Sequence, residues 1–377
     1  MKDHSGLSPA RDLLLFTPGP LTTSKTVKQA MLRDVGSWDR EFSEVVAGVR
    51  QSLLAVAGVN QQQGYEAVLM QGSGSFGLEA VVTSVTPPQG KLLVLVNGAY
   101  GDRIAKMAAM QSIALATLTS AESEPPAADD VRAALVADPA ITHVVVVHCE
   151  TTSGILNPIE PIGHVAKQFG KTFVVDAMSS FGAIPIDLPG SGVDFLVSSS
   201  NKCIEGVPGF AFVICRRDAL GATEGWARSW CFNLLDQWRY MEKTGLFRCT
   251  PPTHIVLAFA QALLELEAEG GVAARGERYR ANHQRLVGGM RRMGFREFLP
   301  AEWQSPIITT FLAPQHPNFD FCRFYDRLHD RGHVIYFGKV TSADCFRIGN
   351  IGRIFASDID DLLAAIGRTL EEMGVTL

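Results

Sequence analysis

From about residue 65 to 215 the chain is punctuated by short apolar runs rich in β-branched residues: "AVLMQ", "KLLVLVN", "HVVVVH", "TFVVDA", "DFLVSSS" and "GFAFVIC". Within each run apolar residues follow one another instead of alternating with polar ones, the pattern of strands covered on both faces. Helix-like segments lie between them: "SFGLEAVVTSV", "GDRIAKMAAM", "DDVRAALVAD" and "IEPIGHVAKQFG". This alternation predicts an α/β fold, a mainly parallel, doubly wound sheet with helices on both faces. Only about ten residues join the last two runs, too few for a helical crossover, so an antiparallel pairing is expected there.

Further along, one long helix-like stretch, "THIVLAFAQALLELEAEGGVAARGERYRANHQRLVGGMRRMG", leads into "SPIITTFLAP", "FDFCRFYDRLHDRG", "HVIYFG" and "CFRIGNI". These read as a smaller α+β domain. The expected division is a large α/β domain over residues 17–260 and a small domain made of residues 1–16 and 261–377. "SEPPAADD" reads as a surface loop, and there is no internal repeat.

A chain of 377 residues exceeds a typical single core and has room for a pocket. Its 34 basic and 39 acidic residues are interspersed, with a net charge of −5, which excludes the electrostatic footprint of a nucleic-acid or acidic-membrane binder. Small molecules are the expected partners. The seven cysteines are scattered without a C-x-x-C pair, a reduced pattern with no disulfide or metal framework. "LLLF" near the N-terminus is too short for a signal sequence and no apolar stretch approaches 18 residues, so a cytoplasmic location is expected.

Three features carry candidate chemistry. "MQGSGSFGLEAVV" follows one strand and opens a helix, so Ser73, Gly74 and Ser75 bring free backbone N–H groups and hydroxyls to a helix N-terminus, where an anion is favoured. Glycines at 72, 74 and 77 have dinucleotide spacing, but the next strand run ends in Asn97 and supplies no acidic ribose anchor. "FGKT" at 169–172 precedes a strand and has Val165 where a nucleotide phosphate loop needs glycine. The second feature is Asp176, which ends the "TFVVDA" run, and the third is Lys202, just past "DFLVSSS". If those runs are neighbouring strands, both side chains emerge at one sheet edge. Alone, the three are an ordinary turn, a turn-capping aspartate and a surface lysine. Together they match pyridoxal 5′-phosphate: the glycine and serine loop takes its phosphate, Asp176 keeps its ring nitrogen protonated and Lys202 condenses with its aldehyde.

The succession "LLFTPGPLTT", "GSGSFGLEA", "NGAYGDR", "HCETTSGILNPI", "VVDAMSSFG", "SSSNKCIEGVPGFAFVI", "TPPTH" and "FRIGNIG" resembles, almost from end to end, the class V aminotransferases of pyridoxal-phosphate fold type I. The resemblance is tightest to members that move the amino group of 2-aminoethylphosphonate to pyruvate. Members acting on alanine and glyoxylate, or on serine and pyruvate, are the alternative. It implies a homodimer with active sites at the subunit interface. It further implies that Ser73, Gly74 and Ser75 hold the cofactor phosphate, with Thr250 reaching the phosphate from the partner subunit. Tyr100 would stack on the pyridine ring, Thr151 or Thr152 would place a hydroxyl near the ring oxygen, and Arg347 would bind the acidic group of the substrate. Asn201 precedes the lysine where relatives acting on alanine and glyoxylate carry glutamine, and where cysteine desulfurases carry histidine. Phe337 stands where the family usually has proline, and "LFRC" before Thr250 is altered as well.

Overall fold

The computed structural model describes residues 12–377. The main sheet has seven strands: β1 Tyr65–Gln71, β2 Lys91–Val96, β3 Ala114–Thr119, β4 Ile141–Val147, β5 Thr172–Asp176, β6 Phe195–Ser199 and β7 Phe210–Arg216. Their spatial order is β1-β7-β6-β5-β4-β2-β3. β7 runs antiparallel to both β1 and β6, and every other pairing is parallel. The ten-residue connection between β6 and β7 thus produces the reversed strand its length requires. Val144, Val145 and Val146 of β4 and Phe173, Val174 and Val175 of β5 are buried, as continuous apolar runs demand.

β3 has no counterpart among the strands expected from the sequence. Its segment "ALATLT" lies at the sheet edge with exposed and half-buried residues, and it is built from two each of alanine, leucine and threonine, with no valine or isoleucine. An edge strand needs only one paired side and little apolar cover, so its sequence carries a weak signal. The long helical stretch is also two helices and not one. A helix over Thr253–Glu269 ends at Gly270, φ 108°, and a second runs over Gly271–Arg292. Two adjacent glycines with positive φ turn the chain where its apolar periodicity continues.

Beyond this break a three-stranded antiparallel sheet forms from β8 Ile308–Leu312, β9 Tyr336–Phe337 and β10 Cys345–Gly349, in the order β8-β10-β9. A second hydrophobic cluster gathers Phe311, Phe324, Phe346, Ile359 and Leu362, and Phe16 joins it from the N-terminal arm. The larger cluster extends through Leu263 and Leu266, so the helix Thr253–Glu269 packs with the main sheet over its whole length. Residue 260, the expected end of the large domain, falls inside that helix.

Because β1, β2, β4, β5 and β6 point the same way, the segments after them leave the sheet at one edge. The register Val147↔Asp176 and Asp176↔Val197 puts the aspartate at the centre of that edge.

Candidate active site

At that edge the chain turns from β1 through Gly72, φ 101°, into the helix α1, Gly74–Val85, with Ser73 as its N-cap. The first N–H groups of any helix have no partner inside it, so α1 offers donors to an anion. A Cβ on Gly74 would lie 2.5 Å from the Met178 sulfur, so the glycine lets the end of that side chain pack against the start of α1.

Asp176 is buried at the end of β5 and accepts the Met178 N–H at 2.9 Å. Burial pushes its carboxyl up to about 6; the Met178 hydrogen bond opposes this, the charge of Glu150 adds to it, and Lys202 and Arg103 work against it. Lys202 sits beyond the end of β6. Its Nζ donates to the carbonyls of Pro18 at 2.8 Å and Gly19 at 3.4 Å, and enclosure lowers its proton affinity. A side chain on Gly19, φ 109°, would come within 2.7 Å of the Lys202 Cδ. The arm "TPGP" therefore closes down on the lysine as far as a bare backbone allows.

Tyr100 lies in the first turn of α2, Ala99–Met110. The Arg103 guanidinium is 4.7 Å from its ring centroid and also donates to the Ser75 hydroxyl at 3.1 Å, which ties the starts of α1 and α2 together. The Lys339 ammonium is 4.3 Å from the same centroid. Burial pushes the phenol up, but a hydrogen bond from Thr151 and the cations Lys339, Lys202 and Arg347 outweigh it, and the net direction is down.

The two threonines of "HCETTSG" divide. Thr151 lines the cavity, whereas Thr152 is turned into a network behind it. The Thr152 hydroxyl donates to Glu150 Oε1 at 2.6 Å and accepts the Ala99 N–H at 2.9 Å. Glu150 also accepts the Tyr100 and Gly101 N–H groups, each at 3.1 Å. This fully buried carboxylate caps α2 and fixes where Tyr100 points, and burial raises its pKa. Its signal was the one acid in "HVVVVHCETTSG"; Arg103 was legible as the cation three residues after Tyr100.

Arg347, on β10, is buried; its Nε donates to the Phe337 carbonyl at 2.9 Å and its Nη1 to the Thr151 carbonyl at 2.7 Å. The guanidinium thereby reaches the rim beside Thr151. The Phe337 ring lies 4.8 Å from Phe321 and 5.6 Å from Tyr325, centroid to centroid, and is half exposed. Only its backbone carbonyl holds the arginine, and proline would present the same group.

Ser73, Gly74, Ser75, Tyr100, Thr151, Asp176, Asn201 and Lys202 therefore line one cavity of ≈ 190 Å³ with Arg103, Cys149 and Met178. Arg347 adjoins it, Thr152 stands behind it, and Thr250 is on the surface outside it, its carbonyl 3.4 Å from Gln71 Nε2. The donor set suits pyridoxal phosphate: helix-terminal N–H groups for a phosphate, an enclosed carboxyl for a cationic ring nitrogen, and an amine with reduced proton affinity for an aldehyde.

The Aminotransferase class-V family profile matches residues 23–328. The 2-aminoethylphosphonate–pyruvate transaminase of Vibrio cholerae serotype O1 is 53% identical over 355 residues, spanning 94% of this chain and 96% of that protein. The protein of the same name from Salmonella typhimurium is 53% identical over 359 residues, spanning 95% and 97%. A solved alanine–glyoxylate aminotransferase from Nostoc sp. superposes with a TM-score of 0.89 at 24% identity over 98% of this chain and 99% of that one, a likeness of fold.

Proposed function

The chain belongs to the class V aminotransferase family, and on that premise we propose that it is a pyridoxal-phosphate enzyme converting 2-aminoethylphosphonate and pyruvate to phosphonoacetaldehyde and L-alanine in phosphonate degradation. The observation that carries the reaction type is the convergence of Lys202, Asp176 and the start of α1 on one cavity. The identity to the Vibrio and Salmonella enzymes supports this donor; the Nostoc likeness speaks for the fold and for no donor.

When bound, pyridoxal phosphate supplies an aldehyde for the substrate amine and a cationic ring that takes up the electron pair left by proton loss. The protein's part is placement and proton handling. The N–H groups and hydroxyls of Ser73, Gly74 and Ser75 hold the phosphate. Asp176 pairs with the ring nitrogen, and the charge of that nitrogen offsets the burial that otherwise drives the carboxyl toward its neutral form. Lys202, the lysine predicted to hold the aldehyde, is enclosed, and that burial weakens its hold on a proton. It removes a proton from the carbon that bears the substrate nitrogen and later delivers one to the carbon that becomes the α-carbon of alanine. Tyr100 would stack on the ring and Thr151 would offer it a hydroxyl, with Asn201 in the wall of the same cavity. Arg347 binds the phosphonate and the carboxylate in turn, because its planar fork suits both.

The working unit in this reading is a homodimer with shared active sites. Thr250, exposed and outside its own cavity, serves the neighbouring copy, and the exposed Trp38, Phe76 and Trp230 suit burial against it. Among the described residues no helix is long and apolar enough to cross a membrane.

The test is spectroscopic. 2-Aminoethylphosphonate is expected to bleach the visible band of the cofactor-loaded protein while L-serine does not, and borohydride reduction with peptide mapping is expected to fix a pyridoxyl group on Lys202. Bleaching by L-serine alone would overturn the donor assignment; a label on Lys171 or Lys339 would overturn the site.

A further inference from the structure

The loop 338–344 joins β9 to β10 and carries Lys339, which lies over the Tyr100 ring at the cavity rim. Sequence reasoning gave this lysine no role. The carboxylate that touches the loop, Glu122, does not take it. Its Oε2 accepts the Thr341 N–H at 2.8 Å, the Thr341 hydroxyl at 3.1 Å and the Ser342 hydroxyl at 3.5 Å. Glu122 thus latches the loop to the large unit and leaves the ammonium on the cavity side. Arg347 approaches the same rim through the Thr151 carbonyl. Tyr100 registers both cations, along with Lys202, in the lowering of its phenol.

Two cations exceed what one carboxylate requires. A carboxylate carries a single charge, whereas the phosphonate group of 2-aminoethylphosphonate, whose neighbouring ammonium eases its second ionisation toward that of a phosphate monoester, can carry a second. We propose that Lys339 is a specificity-determining residue: with Arg347 it forms a two-cation subsite that selects a phosphonate dianion over a carboxylate. Arg347 serves both substrates as a bidentate anchor. Lys339 supplies a second point charge that only the dianion uses fully. This inference rests on the proposed amino donor.

The experiment uses the cofactor-loaded enzyme with Lys339→Gln and Lys339→Arg. Lys339 is partly exposed, so its neutralisation leaves the core intact. Half-reactions are measured with 2-aminoethylphosphonate and with L-alanine, and calorimetry at a pH above the second ionisation of ethylphosphonate gives dissociation constants for the unreactive pair ethylphosphonate and propionate. In Lys339→Gln, both phosphonates are expected to weaken by about tenfold or more, the scale of one charge-assisted contact, while L-alanine and propionate stay within about threefold. Lys339→Arg is expected to keep the phosphonate preference. Equal losses for phosphonate and carboxylate, or no loss for either, would overturn the proposal; equal losses accompanied by a changed cofactor spectrum would make Lys339 a support for Tyr100 alone. A wild-type enzyme inert toward 2-aminoethylphosphonate would overturn the donor assignment instead, and the ethylphosphonate and propionate constants would still decide the role of Lys339.

Discussion

Two groups of buried charges flank the turn that carries Lys202, and they are built on opposite rules. On one side, Glu205 accepts the Tyr279 hydroxyl at 2.6 Å and Arg278 Nη2 at 2.7 Å. Glu269 takes Arg275 Nε and Arg278 Nε, each at 2.7 Å. Arg278 Nη1 goes to the carbonyls of Gly352 and Ile354, and Arg275 Nη1 donates to the Cys203 carbonyl at 2.6 Å. Burial works against the charges of Arg275, Arg278 and Glu269, yet the pairing wins: Arg275 and Arg278 are held above the usual guanidinium range and Glu269 below the usual carboxylate range. On the other side, Asp176 and Lys202 each touch only backbone groups, and neither belongs to an ion pair among the described residues. There burial prevails, pushing the acid up and the amine down, both toward neutrality. The same low dielectric stabilises a matched set and strains an unmatched one, so charges left without partners at a cavity mark where a ligand supplies them.

The sharpest way to break this contrast is Lys202→Ala. If the lysine is kept for proton transfer, single-turnover measurements are expected to show a loss of about 10²–10⁴, with no penalty in unfolding free energy. A clear loss of stability would place Lys202 with the structural charges.

Glu205→Gln should do the reverse. Removing Glu205 leaves Arg275 and Arg278 with the single carboxylate of Glu269, one buried positive charge uncompensated, and is expected to cost about 3 kcal/mol in denaturant unfolding, while the fraction that remains folded keeps its substrate affinities. If affinities fall without a stability change, the cluster belongs to the site.

A finer distinction comes from the pH dependence of the cofactor-free protein. The folded pKa of Asp176, about 6, lies above its ordinary 3.8. The stability it contributes is therefore fully present below 3.8, is lost as pH rises from there through about 6, and changes no further above that. The two-unit shift corresponds to about 3 kcal/mol, so Asp176→Asn should gain roughly that much on wild type across the window. A flat difference between the two proteins in unfolding titrations would mean that the carboxyl is satisfied without a ligand.

Some of this molecule was plain along the chain. Strands β4, β5 and β6 were visible because a strand buried on both faces must be continuously apolar, and Asp176 and Lys202 stood out as charges next to such runs. Their common edge follows from a parallel sense once the runs are strands, whereas their adjacency was a condition that the register Asp176↔Val197 meets. The edge strand β3 and the glycine break between the two long helices were not plain, since the first carries little apolar signal and the second interrupts no periodicity.

The apolar strand runs, the one reversed connection and the three groups that suit the cofactor were determined by the sequence itself, because each is a local consequence of which residues are apolar, how long a connection is and which charge ends a run; the order of the strands in the sheet is not. The tertiary structure alone decided which threonine faces the cavity, that Glu150 caps the helix of Tyr100, that Phe337 lends only its carbonyl to Arg347, and that Lys339 lies over Tyr100. Thr151 and Thr152 are chemically alike and adjacent in sequence; their fates split because Glu150 and the Ala99 N–H claim one hydroxyl. Lys339 and Tyr100 are far apart along the chain, and no local pattern encodes a contact made when two separately built units close on each other.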